Sequence, residues 1–539
     1  MPISAAEFSS TTILRYPRST KGMPVPVLIR ALLAACILLP IPRSTADESS
    51  ASAPLLLKAR SRTQTAADSE RWHSTTTTLN WNPRETCIIV CDMWDHHWCV
   101  PSEQRVGEMA PHMNRVLNAA RARGVFIIHC PSDTMEAYAD HPARLRAINA
   151  APAETSPPLQ KWVRLLPERE GSLPIDDADG GCDCDPPVPS RRVWTRQHPA
   201  IEIQAADAIT DNDEAFRLMR ERGIRNVIVM GVHTNMCVLG RPFSIRQMVL
   251  QGQNVVLVRD LTDTMYNPAR APFVSHFSGN DLVTEHIEQY WCPSITSTDL
   301  CGEAPFQFRD DKRPHLVVVV SEPEYETEQS LTEFRQELLQ RYRVSMVYGD
   351  SNDGSVLPGA DVITTADLLL LSVRRRTLKP QQLQLFRDFV SAGKPVIGIR
   401  TSSHPFHLRN QSPPEGRADW PEFDLQVNGG QYTNHHGNGP ITQLEPAAGK
   451  EQHPLLKGIN LNDLTGQGSL YKVRPLADST TPVLIGSIPN QESEPVAWIN
   501  RRADGGHTFY TSLGHRGDFA QPGFRQLLLN ACDWLLQQE

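Results

Sequence analysis

The residues with the clearest capacity for chemistry lie in the first half of the chain. Cys237 follows an apolar run at 226–231 and precedes a segment with helical character. Pro242 in that segment predicts a short first turn from Cys237 and then a kink or restart. At the start of a helix, the dipole and free N–H groups lower the pKa of a thiol and can hold an oxyanion. Asp92 directly follows another apolar run, 86–91, and could remove the thiol proton as a general base. The pair predicts a cysteine nucleophile, and a buried structural cysteine is the alternative.

The segments around these two residues alternate between strands and helices. Four apolar runs have the length of buried strands: 86–91, 125–130, 226–231 and 254–259. Apolar residues at helical spacing over 105–123 predict a helix between the first two runs. This alternation predicts a parallel, doubly wound sheet, with Asp92 and Cys237 at the carboxyl ends of its strands.

A Pro-rich stretch at 131–190 interrupts the alternation. It is too long for a simple connection, so we expect a functional insertion or a lid. Its Cys182-Asp-Cys184-Asp185 sequence is interpreted as an acidic loop with a structural cystine, and a soft-metal site is the alternative. Cys292 and Cys301 are the other loop cysteines that could pair in an exported protein.

The strand–helix alternation restarts after residues 303–313. Apolar runs at 315–320 and 395–399 predict strands of a second sheet. The fold class is therefore α/β, with two doubly wound, mainly parallel-sheet domains in tandem. We place the first domain at 79–302, a linker at 303–313 and the second domain at 314–539.

The amino-terminal residues predict a leader. An apolar run at 31–42 follows several basic residues and precedes Ser44-Thr45-Ala46. The run is too short to span a bilayer, and the order of charges, apolar residues and small residues is typical of a signal peptide, 1–46, cleaved after Ala46. We expect export to a periplasmic or other extracytoplasmic compartment, with a lipid anchor at Cys36 as the alternative. Residues 47–78, rich in Ser, Thr and Ala, are expected to be a flexible linker.

Composition excludes two classes of protein. The 539 residues carry a formal net charge of -8 with a pI near 6.1, so no general electrostatic attraction to nucleic acid is expected. Hydrophobic residues make up 40% of the chain, which is enough for packed cores and excludes a mostly disordered protein. We expect no cofactor, no metal and no transmembrane segment after removal of the leader.

Three segments resemble the isochorismatase-like cysteine hydrolases, which include nicotinamidases and related amidohydrolases: CDMWD (91–95), VWTRQHPAIEI (193–203) and VIVMGVHTNMCV (227–238). The resemblance implies an Asp–Lys–Cys triad with Cys237 as nucleophile and Asp92 as base. It also implies a non-proline cis peptide between Val232 and His233, so that the N–H groups of His233 and Cys237 face an oxyanion. His233, Thr234 and Trp94 are candidate substrate or oxyanion contacts; for Trp94, core packing is the alternative.

The third member of the triad departs from the family pattern. The resemblance places the family lysine at Arg196, after a strand-like segment at 192–195. Arginine keeps the positive charge but cannot lose a proton at useful pH, so we expect Arg196 to act as an electrostatic clamp. Lys161, the only lysine between residues 59 and 311, is the alternative cation. An inactive site is the remaining alternative.

The second half resembles the ThuA-like (trehalose-utilisation) domains, which share the class I glutamine amidotransferase fold. The similar segments are GIRTSSHPF (398–406), HPLLKGI (453–459), PVAWI (495–499) and TFYTSLGHRGDFAQPGFRQLLLNACDWL (508–535). The amidotransferase cysteine is replaced at the elbow by residues 400–403, so glutaminase chemistry is not expected. The resemblance implies a carbohydrate-related ligand. Five histidines are expected near one face: His404, His407, His435, His436 and His515.

The sequence as a whole therefore predicts an exported cysteine hydrolase with a second ligand-binding domain. Cys237 would attack an amide or related C–N bond of a small molecule. A saccharide is the expected ligand of the second domain, and assembly into a homo-oligomer is left open. The alternative is a non-catalytic two-domain binding protein that has lost the triad lysine.

Overall fold

The computed structural model describes residues 53–186 and 188–538. The predicted leader, 1–46, and the start of the predicted linker lie outside these residues. The described residues belong to one compact unit that contains two separate α/β sheets. No helix within 53–186 or 188–538 is both long and apolar enough to cross a membrane.

The first half is an eight-stranded sheet with helices around it. Its strands are β1 (Leu55–Gln64), β2 (Trp72–Trp81), β3 (Thr86–Cys91), β4 (Phe126–Cys130), β5 (Ala208–Ile209), β6 (Asn226–Val232), β7 (Asn254–Asp263) and β8 (Ser294–Ile295). Its helices are α1 (Val100–Ala122), α2 (Pro142–Ile148), α3 (Glu214–Glu221), α4 (Cys237–Gly240), α5 (Ile245–Leu250), α6 (His276–Tyr290) and α7 (Thr298–Cys301). The four strands predicted from apolar runs are all present.

The strand order explains where the candidate residues meet. The order is β2-β1-β8-β7-β6-β3-β4-β5, and all pairings from β8 to β5 are parallel. Strands β3 and β6 are therefore neighbours, with Cys91 opposite Gly231. Asp92 and the segment that leads to Cys237 leave the same edge of the sheet side by side.

The prediction of a flexible linker at 47–78 is wrong for its described part. Residues 55–64 and 72–81 form the antiparallel hairpin β1–β2, and β1 pairs with β8 at Arg60 and Ser294. Leu55, Leu57 and Ala59 alternate with exposed residues and are buried. This period of two is a strand pattern, and it adds the hairpin to the edge of the sheet.

The second half is a nine-stranded mixed sheet. Its strands are β9 (His315–Ser321), β10 (Arg343–Tyr348), β11 (Leu368–Val373), β12 (Val396–Ile399), β14 (Thr442–Pro446), β15 (Thr465–Gly466), β17 (Thr480–Ser487), β18 (Glu494–Arg501) and β19 (His507–Thr511), while β13 (Asn434–His435) pairs with β16 (Tyr471–Lys472). Its helices are α8 (Thr327–Leu338), α9 (Pro380–Ser391), α10 (Arg516–Phe519) and α11 (Pro522–Leu535).

The second sheet has a parallel and an antiparallel half. The order is β10-β9-β11-β12-β19-β18-β17-β14-β15; its first four pairings are parallel and its last four are antiparallel. The α/β class with two separate sheets is thus confirmed. The second sheet is less parallel than the sequence predicted, because half of its strand pairings are antiparallel. The residues after β12 and β19 lie at the carboxyl edge, where open sheets hold ligands.

The two halves share a buried apolar core. One cluster of buried side chains includes Ile89 and Phe216 of the first half together with Val318 and Phe334 of the second. Polar contacts join them as well: Arg335 lies 2.8 Å from Glu285. Within 303–313, Phe308 is buried and stacks on Phe277 at 5.5 Å. The predicted linker therefore packs against the first half.

Gly231 allows the close approach of β6 to β3 beside Asp92. Its φ is +113°, and a Cβ built there would lie 2.0 Å from the carbonyl oxygen of Cys91. A side chain at this position meets both a strained backbone and a backbone clash, so the strand edge that presents the candidate site requires glycine here.

Gly231→Ala is expected to lower the free energy of unfolding by roughly 2–4 kcal/mol, because strain and overpacking add. Gly223→Ala is the matched control: its φ is +66° but no atom lies within 4 Å of the built Cβ. That control should cost only about 1 kcal/mol. Urea unfolding followed by fluorescence gives both values, and equal losses would show that the contact with Cys91 does not matter.

Candidate functional site

Cys237 begins a very short helix after β6. Helix α4 has four residues, Cys237–Gly240, and α5 starts only at Ile245. Pro242 lies between them and cannot donate the backbone hydrogen bond that a continuous helix needs. The predicted short turn followed by a restart is confirmed. Such a short helix has little dipole, so it contributes little to ionising the thiol.

Asp92 is a fully buried carboxylate at the end of β3. It has no exposed surface, and its φ is +45°, a conformation that aspartate tolerates better than most residues. One carboxylate oxygen accepts the Ser132 N–H at 2.8 Å. The Cys237 thiol lies close enough to this carboxylate for each group to shift the pKa of the other. The structure therefore places Asp92 beside Cys237.

The cation beside this pair is Arg241, not Arg196. The Arg241 Nε donates to the second Asp92 oxygen at 3.2 Å, and its positive charge lowers the pKa of the Cys237 thiol. Arg196 is exposed, and its backbone pairs with Asp95: its carbonyl accepts the Asp95 N–H at 2.9 Å, and its N–H donates to the Asp95 carboxylate at 3.3 Å. Lys161 is exposed too.

The placement of Arg196 has a simple cause. Residues 192–195, expected to form a strand, are irregular and add no strand to the sheet. Arg196 is therefore not held at the strand edge where Asp92 ends. Arg241 lies four residues after Cys237, one helical turn away, and this spacing is the sequence signal that could have identified it.

Burial and charge set the protonation states of the pair. Burial is the main cause that raises the pKa of the Cys237 thiol well above its ordinary value; the Asp92 charge adds to the rise and Arg241 opposes it. The pKa of Asp92 is raised as well, because burial outweighs the lowering effects of Arg241, Cys237 and Ser132. The resting sulfur is thus a thiol beside its candidate base, although the sequence predicted a lowered thiol pKa.

A second feature of the turn is a pair of backbone donors. The peptide between Val232 and His233 is cis, as the family resemblance implied. The carbonyl of His233 accepts from Met236 and Val238. In the described part of the chain, the N–H groups of His233 and Cys237 have no acceptor of their own. They are therefore available for a developing oxyanion.

The three other predicted contacts have different environments. The His233 ring is buried and shares a 2.7 Å hydrogen bond with the Ser102 hydroxyl. Thr234 is buried, and its hydroxyl pairs with that of Thr262 at 2.7 Å, which is a structural role. Trp94 is buried and stacks on Trp194 at 4.3 Å. Of the three, only His233 has a backbone N–H group that no acceptor among the described residues occupies.

The 131–190 insertion packs over the turn that carries Cys237, residues 233–241, which is the candidate catalytic turn. The Val163 N–H donates to the carbonyl of Gly240 at 2.8 Å, and the Trp162 ring lies 5.6 Å from the Arg241 guanidinium. Further along, Asp177 accepts from Asn235 at 2.7 Å. Cys237 keeps 8% of its surface exposed. The insertion therefore packs against the turn on both sides of Cys237, which is itself nearly buried.

The elbow of the second half carries an arginine. Arg400 follows β12 with a φ of +43° and is buried. Its guanidinium lies between the rings of Tyr325 and Tyr471, at 4.1 and 4.6 Å. Next to it, the Ser403 hydroxyl pairs with the ring of its own neighbour, His404, at 2.9 Å. The position of an elbow nucleophile is thus occupied by a cation engaged in ring contacts.

A polar pocket of about 430 Å³ lies beside this elbow. It is lined by Arg375, His404, His407, Arg409, Asp424 and Tyr432 among others. The remaining predicted histidines lie elsewhere: His515 contacts Tyr325, His436 bonds to Gln491, and His435 lies 6.5 Å from Tyr471. Two of the five expected histidines therefore line one pocket, and none of the five belongs to a metal-ligand cluster of the described residues.

Two family models match the chain. Residues 86–278 match the model described as Isochorismatase domain, and residues 316–535 match the model described as ThuA, Trehalose utilisation. The resemblance of each half, inferred from its motifs, is therefore confirmed. No relative among the curated proteins matches the chain.

Several solved structures are each similar to one half of the chain. A putative ThuA-like protein from Bacteroides uniformis is 17% identical, over 43% of this chain and 95% of its own, with a TM-score of 0.33. A cysteine hydrolase from Pseudomonas syringae is 18% identical, over 41% and 92%, with a TM-score of 0.27. An isochorismatase family protein from Burkholderia thailandensis is 15% identical, over 41% and 95%, with a TM-score of 0.24.

Alkylation of Cys237 by iodoacetamide should depend on Arg241 and not on Arg196. Arg241→Gln removes the cation that lowers the thiol pKa, so less thiolate forms at a given pH, and the rate should fall about tenfold or more. Arg196→Gln is the matched control and should leave the rate unchanged. Mass spectrometry of the Cys237 peptide, over a pH series, gives the rate; the reverse pattern would return Arg196 to the site.

Proposed function

Since residues 86–278 match the isochorismatase model, we propose that this half is a cysteine hydrolase that cleaves an amide or related C–N bond of a small molecule. One observation carries the proposal. The buried Asp92 carboxylate binds the Arg241 guanidinium at 3.2 Å, and both groups shift the pKa of the adjacent Cys237 thiol. Nucleophile, base and cation are the groups that such a reaction needs, and here they are neighbours.

The proposed reaction proceeds through a thioester. Asp92 takes the thiol proton as the Cys237 sulfur attacks the substrate carbonyl carbon, and a C–S bond forms. The N–H groups of His233 and Cys237 stabilise the oxyanion. Asp92 then returns the proton to the leaving nitrogen as the C–N bond breaks. Water, deprotonated by Asp92, attacks the thioester, releases the acid and restores the thiol.

Arg241 keeps Asp92 in the state that this reaction requires. A buried carboxylate without a partner would become protonated and could not act as a base. The contact with Arg241 lowers the pKa of Asp92 against the effect of burial. Because arginine does not release its proton at useful pH, its role is to hold charge, and Asp92 alone transfers protons.

The cover over the site favours small substrates. Trp162 and Val163 of the insertion lie on the catalytic turn, and Cys237 is almost completely buried. A polypeptide substrate would have to displace this cover, whereas a small amide needs only a local opening. Closure also removes water from the nucleophile, which strengthens the electrostatic contacts in the site.

A non-catalytic binding protein is the second candidate. Two observations favour it: the pKa of the Cys237 thiol is raised by burial, and the family lysine is absent from its expected position. The contact of Arg241 with Asp92 favours the hydrolase, because it restores the missing charge. The signal peptide predicted at 1–46 is the basis for proposing that either protein lies outside the cytoplasm.

For the second half we propose a saccharide ligand in the polar pocket beside Arg400. Tyr432 offers an aromatic face, and it contacts the rings of His404 and Tyr471 at 4.8 and 4.6 Å. Burial raises the pKa of Asp424 to about 7, so below that pH this carboxyl can also donate a hydrogen bond. Aromatic faces flanked by donors and acceptors suit the faces and hydroxyls of a sugar.

A panel of small amides and carbamoyl compounds should contain a substrate of the wild-type protein. Cys237→Ala should abolish its hydrolysis, and Asp92→Asn should lower kcat/KM by roughly 10²–10⁴. Arg241→Gln should lower it on the order of 10²-fold, whereas Arg196→Gln should stay within about twofold of wild type. Activity that survives Cys237→Ala would exclude the thioester route. A panel with no turnover and no acylated Cys237 would support the binding protein.

Calorimetric titration should detect a saccharide in the second-half pocket. A panel of neutral disaccharides and sugar acids is titrated into the full chain. Tyr432→Ala should weaken the best ligand about tenfold, since a stacked ring contributes about 1 kcal/mol or more. Phe273→Ala, an exposed aromatic residue outside the pocket, is the control. Equal affinities in both variants would place the ligand elsewhere.

A further inference from the structure

Three cysteines from two distant parts of the chain converge beside the catalytic turn. Cys99 precedes α1, while Cys182 and Cys184 belong to the insertion. Their three sulfur atoms all lie within 4.8 Å of one another. Cys99 and Cys182 are buried and Cys184 is half-buried, and all three are free thiols. The structural cystine expected at this loop is therefore not formed.

The loop is shaped to bring these sulfurs together. Gly180 and Gly181 both have positive φ, and a Cβ on Gly181 would lie 2.3 Å from the carbonyl oxygen of Met265. Glycine at 181 thus lets the loop press against the core just before Cys182. Asn235 fixes the other side, because it bonds both to Asp177 of the insertion and to the backbone of Met265.

Soft sulfur groups dominate the surroundings of this cluster. Cys99, Cys182 and Met265 form one buried cluster, against which Trp98, Cys184 and Met236 pack. Thiolates and thioethers prefer soft metal ions such as Zn²⁺ and Cu⁺ over hard ones such as Mg²⁺. With metal–sulfur bonds of about 2.3 Å, sulfurs in such a site lie about 4 Å apart. The present separation requires only a small contraction.

We propose that Cys99, Cys182 and Cys184 bind one soft closed-shell metal ion, Zn²⁺ or Cu⁺, which fastens the insertion over the catalytic turn. The site goes beyond the proposed hydrolase activity and differs from the sequence expectation of no metal. Binding replaces the three thiol protons by the ion, so the protons are released to solvent. Met236 and Met265 supply thioethers beside the three thiolates.

The charges around the cluster suit an anionic metal–thiolate centre. Cys99 caps the 23-residue helix α1, whose amino terminus favours negative charge. Asp183, a carboxylate at the cluster, accepts from the Cys99 thiol at 3.2 Å and is held by Arg105 at 2.8 Å. Because Arg105 also binds Asp263 at 2.8 Å, its charge is shared by two carboxylates, and the bound ion itself neutralises most of the charge that thiol ionisation adds.

A metal ion at this site would act on Cys237 through the residue that precedes it in the chain. Met236, which packs against the three cysteines, directly precedes Cys237. An ion held by Cys99 of the main fold and by two insertion cysteines would close the insertion over that turn. The cysteines are positioning residues in this role, because none of them contacts Cys237.

The test measures the metal itself. The protein without its predicted leader is reduced and freed of metal with a chelator in the absence of oxygen. It is then loaded separately with Zn²⁺ and with Cu⁺, and desalted. Elemental analysis should find about one retained ion per chain for one of the two metals. Cys99→Ser, Cys182→Ser and Cys184→Ser should each lose it, whereas Cys292→Ser, a buried cysteine elsewhere, should keep it.

Protease resistance supplies a second measurement that does not depend on activity. Metal loading should slow cleavage within 131–190 in wild type and in Cys292→Ser, and have no effect in Cys184→Ser, the least buried of the three. Failure to retain either ion, or equal retention in the cysteine variants, overturns the proposal. A disulfide among Cys99, Cys182 and Cys184 in protein from its native host also overturns it, since it removes two ligands. An inactive hydrolase would leave these results unchanged.

Discussion

The ion pair between Asp92 and Arg241 is the interaction on which the candidate site around Cys237 depends. Removing a carboxylate from water costs on the order of several kcal/mol, and Asp92 has no exposed surface. Arg241 offsets that cost at 3.2 Å and leaves the carboxylate able to accept the Cys237 proton. The same short helix begins at the nucleophile and ends next to the cation, so one turn of backbone delivers both. Arg241 therefore supplies the positive charge of the family lysine from a different position in the chain.

Other parts of the structure support this turn from outside. Gly231 lets β6 approach β3, which sets Asp92 beside the segment leading to Cys237. The insertion covers the turn through Trp162 and Val163. The three-cysteine cluster would anchor the far end of that cover. In the proposed hydrolase, such a cover would exclude water and admit small molecules when the insertion opens locally.

The sequence predicted the features that depend on local pattern. Apolar runs placed β3 and β6, and their carboxyl ends brought Asp92 and Cys237 together as expected. Pro242 correctly indicated the break after α4. The sequence was misleading where long-range packing decides: 192–195 looks like a strand, but nothing in the sheet pairs with it, so Arg196 stays at the surface. The convergence of Cys99 with 182–184 depends on the path of a long insertion, which no spacing reveals.

In the second half, too, the backbone of the site is retained while a key residue is replaced. The sharp turn after β12 is retained, with a φ of +43°, but Arg400 occupies it and its charge lies between two tyrosine rings. The adjacent pocket keeps polar and aromatic groups without an elbow thiol. The same fold supports transferase chemistry in other proteins, and here it is compatible with ligand binding. The second half shares a buried core with the first half, so both sites belong to one compact unit.

A double-mutant cycle on the free energy of unfolding tests the central claim most directly. Asp92→Asn and Arg241→Gln are measured singly and together by urea unfolding, beside a second cycle that replaces Arg241→Gln with Arg196→Gln. Each single change of the pair leaves a buried group without its partner, so the double variant should lose little more than one single variant, with a coupling of about 2 kcal/mol. The Arg196 cycle should be additive. Additive losses in the Arg241 cycle, or coupling in the Arg196 cycle, would contradict the assignment of Arg241 as the cation of the site.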